Sequence, residues 1–224
     1  MYKNIVFLTL AFLNFLEAAY NFDTPIVLNG TLNSNIERKC PSGWASFQRQ
    51  KGLYCIKVFY PPPYWYTQPQ AQAMCNEIGA RLAGIETPAE RNYIERTAVT
   101  YMTNMSLTET RIWIGGVRTV NCLLPNTAQK CSDPRYAFTW SDGNVVGDHE
   151  FIWGANQPAN QNGQECVQMS VSIFPTTSDQ VTGYGRISTL DDVSCDGNKE
   201  LWELVRYAQI ACGQRAPIVA FDTY

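Results

Sequence analysis

Eight cysteines stand in a chain of 224 residues, and the compartment the chain reaches decides what they do. Lys3 precedes an apolar run from Ile5 to Leu16, and the small residues Ala18 and Ala19 follow it. A charged start, a short apolar segment and a small-residue cleavage site predict a secretory signal peptide over residues 1–19. The run falls short of the roughly 20 apolar residues that span a bilayer, and no second segment of that length follows. The prediction is therefore a secreted, extracellular protein with no membrane span. An even cysteine count on an oxidising route predicts disulfides. Eight cysteines allow about 105 connectivities, so the count leaves the pairing open. A structural zinc site needs close Cys-x-x-Cys or Cys/His spacing, and the nearest pair, Cys122 and Cys131, lies too far apart for it.

Hydrophobic residues make up 45 % of the chain, enough for a sizeable core, and the length favours one domain. Charged residues are only 17 % and the net charge is −3, which removes the electrostatic footprint of a nucleic-acid binder. Residues 20–39 are rich in Asn and lack periodicity, and read as a linker or N-terminal arm. Asn29-Gly30-Thr31 and Asn104-Met105-Ser106 are glycosylation sequons, predicting a glycoprotein with both sites exposed.

From Cys40 the texture becomes that of a folded domain, expected over 40–217 with a short tail at 218–224. Cys40 to Phe59 reads as a hairpin with a disulfide closing its base. A helix is predicted from near Thr67, with Pro69 in its first turn and Ala71, Met74, Cys75 and Ile78 on its buried stripe. Thr87-Pro88-Ala89-Glu90 is a capping box opening a second helix, whose stripe is Ile94, Ala98, Tyr101 and Met102. Strand-like runs follow at Ile112–Gly116, Phe138–Trp140, Val167–Phe174, Ile187–Cys195 and up to Cys212. Two early helices and then many short strands predict an α+β class with antiparallel sheets. Between Trp153 and Cys195 lies a long polar excursion. Its first half carries the amides of Asn156, Gln157, Asn160, Gln161, Asn162 and Gln164, and Asp191 and Asp192 stand just before its closing cysteine. Amides donate and accept, as a hydroxyl-rich ligand requires, and paired carboxylates are usual calcium ligands. The same residue types also make turns for local reasons alone.

With Trp113-Ile114-Gly115-Gly116, Trp153, Gly163-Gln164-Glu165-Cys166-Val167 and Asp191-Asp192-Val193-Ser194-Cys195 all present, the chain resembles the C-type lectin-like domain family, in its secreted invertebrate form, over about Cys40 to Pro217. The resemblance implies a disulfide-stapled fold with two helices, antiparallel sheets and a long loop region. It implies that Cys40 joins Cys55, Cys75 joins Cys212 and Cys166 joins Cys195, which leaves Cys122 and Cys131 to each other. It further implies ligand contacts from Gln157, Asn160, Gln164, Glu165, Asp191 and Asp192, with Gln157, Gln164, Asp191 and Asp192 forming a degenerate calcium site. Sugar-binding members carry Glu-Pro-Asn or Gln-Pro-Asp in the long loop, whereas Ala159 follows Gln157-Pro158 here. Gln164 stands where the family has glutamate, and Leu190-Asp191-Asp192 stands for Trp-Asn-Asp. Calcium, if bound at all, is therefore expected to be weak.

Asp148-His149-Glu150 is the strongest catalytic suspect, and one histidine makes no HExxH pattern. No catalytic residues are predicted. The expected function is recognition of a glycan or glycoprotein through the long loop, in innate defence. The alternative is a calcium-independent module for a protein partner, using the Tyr60 to Tyr66 surface or the long loops.

Overall fold

The structure, a computed structural model, describes residues 36–62, 66–123, 129–148, 150–159, 163–173, 187–196 and 208–220. Strand β1 (Ile36–Arg38) is answered from the far end by β10 (Ile218–Ala220), antiparallel, with Arg38 opposite Ile218. This ribbon lies just outside the 40–217 interval and ties the two ends of the described chain together. The expected hairpin forms from β2 (Ala45–Arg49) and β3 (Gly52–Phe59).

Both helices begin where local chemistry predicts. Helix α1 (Gln68–Glu77) is capped by Thr67, whose hydroxyl accepts from the Gln70 amide at 3.3 Å while the Gln70 side chain accepts from the Thr67 amide at 3.0 Å. Ala71 and Cys75 are buried, as expected, but Ile78 is 44 % exposed. The helix ends one residue earlier, so Ile78 is its C-cap and leaves the helical stripe. Helix α2 (Pro88–Asn104) repeats the cap with Thr87 and Glu90 and buries Ile94, Ala98, Tyr101 and Met102. It buries Glu90 and Arg91 as well, which apolar periodicity could not have indicated.

The remaining strands are β4 (Arg81–Leu82), β5 (Glu109–Arg118), β6 (Phe138–Trp140), β7 (Gln164–Ser172), β8 (Ile187–Ser194) and β9 (Ala208–Arg215). A short helix, α3 (Pro134–Ala137), precedes β6. The sheet runs β2-β3-β9-β5-β7-β8, with β4 against β9 and β6 against β5. Its pairs are antiparallel except β5 with β9. Gly115 and Gly116 sit at the irregular step of the β5–β7 ladder, between Trp113 and Val117. A Cβ on Gly115 would lie 2.5 Å from the Leu82 carbonyl oxygen, so the residue lets β4 close onto β5.

One core cluster packs Ile94, Ala98 and Met102 of α2 against Ile112, Ile114, Val167, Met169 and Leu190 of the sheet. A second gathers Ala71, Cys75, Leu82, Ile210 and Cys212 about fully buried Trp113, whose indole N–H donates to the Tyr66 carbonyl at 2.7 Å. Trp140 is also buried, and Trp153 is partly so. The disulfides are Cys40–Cys55, Cys75–Cys212 and Cys166–Cys195, the three pairs the resemblance implies, and Cys122–Cys131, the pair it leaves over.

Arg49 carries a buried polar network. It donates to Glu90 at 2.7 Å, Asp142 at 3.1 Å and the Gly84 carbonyl at 2.7 Å, and its guanidinium lies 3.5 Å from the centroid of the Tyr54 ring. Tyr54 donates to Asp142 at 2.9 Å. Burial opposes the Arg49 charge, yet the Glu90 carboxylate beside it holds its pKa above the ordinary value. The network ties β2, β3, the start of α2 and the turn after β6 at one point. Arg91 makes a second buried tie, to Glu150 at 2.9 Å.

Candidate functional site

The long loop is anchored on β8. Leu190 donates to the Ile152 carbonyl at 2.9 Å and accepts from the Gly154 amide at 2.9 Å, so residues 152–154 lie along the strand. Phe151 stacks between Trp140, 4.1 Å away, and Trp153, 5.6 Å away, which fixes the approach to this segment. Part of the expected polar excursion is thus paired sheet, because β7 and β8 run through it in register from Ser172↔Ile187 to Cys166↔Val193.

That pairing separates the two aspartates. Neighbours on a strand point to opposite faces, and each carboxylate meets its own arginine. Asp191 accepts from Arg111 at 2.9 Å, and Arg111 also donates to Ser170. Asp192 is fully buried. One of its oxygens accepts from the Ala159 amide at 2.6 Å and the other from Arg118 at 3.3 Å.

Arg118 is the residue that the sequence analysis missed. It ends β5, donates to the Gln164 carbonyl at 3.1 Å and lies 4.5 Å over the Phe138 ring. Burial lowers its pKa, and the Asp192 and Glu165 carboxylates oppose that shift. A charged residue closing the strand-like run that begins at Ile112 was the available signal. Its partner lies 74 residues away, beyond the reach of any local pattern.

The structure therefore brings Asp192, the Gln164 backbone, the Ala159 amide and Arg118 together, with Glu165 close enough to act on Arg118 electrostatically. Asp191 belongs to a different cluster. Gln157 is half-buried, joined to Pro158 by a cis peptide bond, and its side-chain oxygen is buried with no hydrogen-bond partner. Asn160, like Gln161, Asn162, His149 and Asn29, lies outside the described residues.

A calcium ion takes six to eight oxygens, held largely by charge. The donor set here fits one poorly. The most buried carboxylate is already neutralised by a guanidinium, Ala159 offers an amide N–H where an oxygen is needed, and Gln157 and Gln164 are uncharged. The orphaned Gln157 oxygen is a single neutral ligand. Among the described residues no group of three or more His, Cys, Asp or Glu side chains is placed to hold a metal.

The model of the C-type lectin domain-containing protein 141/158 family matches residues 41–215. The chain belongs to that family. It is 27 % identical over 127 residues to ladderlectin of Oncorhynchus mykiss, and 33 % identical over 96 residues to the snaclec CHH-B subunit alpha of Crotalus horridus. Those matches cover 57 % and 42 % of this chain, and the chain spans 53 % and 63 % of the two relatives' own length. Similar solved structures include a calcium-independent type II antifreeze protein, at 20 % identity and TM-score 0.47 over 81 % of this chain and 98 % of that one. The cow C-type carbohydrate-recognition domain of CD23, solved in the presence of a GlcNAc2Man3 oligosaccharide, is 19 % identical at TM-score 0.46 over 80 % of this chain and 98 % of that one. C-type lectin-like domains are in general binding modules without enzymatic activity. No helix among the described residues is long and apolar enough to cross a membrane.

Proposed function

We propose that this lectin-family protein is a secreted recognition module that binds glycans through its long-loop end without a bridging calcium ion, and that it has no catalytic role. The observation that carries the reading is the pairing of buried Asp192 with Arg118 and the Ala159 amide, which uses both oxygens of the family's central ion-binding carboxylate. A fixed guanidinium there repels a divalent cation and supplies the positive charge that would otherwise hold the loop. Ligand contacts then fall to groups that hydrogen-bond sugars directly: the amides of Gln157, Gln164 and Asn160 and the carboxylate of Glu165. The signal-like residues 1–19 and the four disulfides favour an extracellular setting, and innate defence is the role we attach to it.

A glycan array read with calcium and with chelator, beside calorimetric titration of calcium into the purified protein, tests this. Glycan binding unchanged by chelator, with no saturable calcium heat, is the expected result. Micromolar calcium binding that disappears in Asp192→Ala would restore a working ion site.

A second reading, recognition of a protein partner, is favoured by a different surface. Thr119 donates to the Tyr136 and Ala137 carbonyls at 3.0 and 2.8 Å, which sets Val120, 83 % exposed, near Tyr136, 61 % exposed, on the knob stapled by Cys122–Cys131. Of the Tyr60–Tyr66 surface, Tyr60 is 42 % exposed and Tyr66 is buried, and residues 63–65 lie outside the described residues. An array silent for every glycan would favour this second reading.

A further inference from the structure

The last turn of α2 carries an unusual neighbourhood for a sequon. Asn104 is the final helical residue, and its side chain helps to line a groove of about 320 Å³ together with Tyr60, Arg96, Thr97, Thr100 and Tyr101. Thr100 and Tyr101 sit four and three residues before Asn104, on the same helical face. Tyr60 arrives from the end of the hairpin, and its ring centroid lies 3.8 Å from that of Tyr101. Tyr101 is buried, whereas Tyr60 keeps 42 % of its surface open. The lining of the groove therefore combines two aromatic rings, two threonines and Arg96, whose Nε donates to the Asn92 carbonyl at 3.2 Å. The Thr97 and Thr100 hydroxyls donate back to the Tyr93 and Arg96 carbonyls, leaving their oxygens as acceptors.

We infer that this groove receives the first N-acetylhexosamine of a glycan attached to Asn104. A pyranose ring has an apolar face of C–H bonds that suits the electron-rich face of an aromatic ring, and hydroxyls and an acetamide on its edges that suit Thr and Arg. The volume is at the small end of the roughly 300–1,000 Å³ of ligand sites, room for one sugar. The tether decides the occupant: a sugar joined to a residue of the groove's own wall is held there at high effective concentration. In the attachment, the Asn104 amide nitrogen displaces the lipid pyrophosphate from C1 of the first sugar of a lipid-linked oligosaccharide. The C–N bond forms, the bond from C1 to the pyrophosphate oxygen breaks, and the lipid pyrophosphate leaves with the proton that the amide gives up. The inference rests on the secretory part of the proposed function, since that route supplies the donor, and is independent of how the long loop binds its ligand. It covers part of the Tyr60 surface that stays open beside Tyr101.

The test uses the full chain with Asn29→Gln, secreted from insect cells, so that Asn104 holds the one remaining sequon glycan. Mass mapping is expected to find Asn104 occupied. Trimming to a single sugar with an endoglycosidase is expected to leave the Tm unchanged, and removing that last sugar with an amidase to lower it by about 2–4 °C. The amidase leaves an aspartate at position 104, so Asn104→Asp, which destroys the sequon, should melt like the fully stripped protein. In Tyr60→Ala the last sugar should no longer matter, and that coupling is the specific readout. A secreted chain bare at Asn104 overturns the inference and leaves secretion intact. A chain retained in the cell overturns both. Occupancy with equal stripping effects in wild type and Tyr60→Ala overturns the groove assignment alone.

Discussion

At the scale of single residues, Arg118 has the largest consequences for its size. Its side chain and that of Asp192 are 5 % and 0 % exposed, so removing one partner strands the other's charge out of water. Arg118→Gln is expected to cost about 3–5 kcal/mol in guanidinium unfolding, and the double change with Asp192→Asn to recover most of it. Asp142 sets a pH limit. Burial pushes its carboxyl pKa up, but the Asn144 amide, the Arg49 charge and the Tyr54 hydroxyl together hold it below the usual value. An acid whose folded pKa is depressed lends stability that is complete above its unfolded pKa of about 4 and is lost as pH falls through the folded value. The Tm of the wild type is therefore expected to fall more steeply below about pH 4 than that of Asp142→Asn, measured by scanning calorimetry. Neither cluster was legible in the sequence. Arg118 and Asp192 are 74 residues apart and Arg49 and Asp142 are 93 apart, and a charge in a strand or helix pattern does not name a distant partner. Asp191 and Asp192 were legible as a motif, but their separation by Arg111 and Arg118 depends on strand register.

At the scale of elements, the starts of both helices could be read because a capping box is chemistry within four residues. In α2 the cap does more than end a helix. Glu90 accepts from the Glu86 and Thr87 amides at 2.6 and 3.2 Å and holds Arg49 as well. Thr87→Ala is expected to cost about 1 kcal/mol, the usual value of an N-cap. Glu90→Gln is expected to cost more, because it also leaves buried Arg49 short of countercharge; urea denaturation of the two variants orders them. Strand existence was legible from composition, whereas strand partners were not. The parallel contact of β5 with β9 joins segments whose registers meet at Trp113 and Ile210, and nothing local to either foretells the other. Ile78 shows the opposite failure. Its spacing fits the helical stripe, but the chain turns one residue too soon to use it.

At the scale of the molecule, the Cys75–Cys212 bond spans 137 residues and joins α1 to β9. In the chain-entropy model closing a loop of that length stabilises by about 5 kcal/mol. Replacing both cysteines with alanine is expected to lower the unfolding midpoint accordingly, with the other three bonds intact by mass mapping. The overall class was readable because the cysteine count, the signal-like start and the helix-then-strand order agree. Three of the pairings came from resemblance and Cys122–Cys131 as the remainder, since a count cannot choose among connectivities. The same bond also governs how the protein bears tension. Pulled from its two ends, the chain would first peel β1 from β10 one hydrogen bond after another, since both strands lead out from the same end of the ribbon. The load would then pass through Cys40–Cys55, along the chain to Cys75 and across to Cys212. The β3–β9 ladder shares that load, since Cys55 lies opposite Gln214 and Lys57 opposite Cys212, whereas the β7–β8 ladder that carries Asp192 stands further along the sheet, so a tethered copy can be stretched with little of the pull reaching its recognition surface.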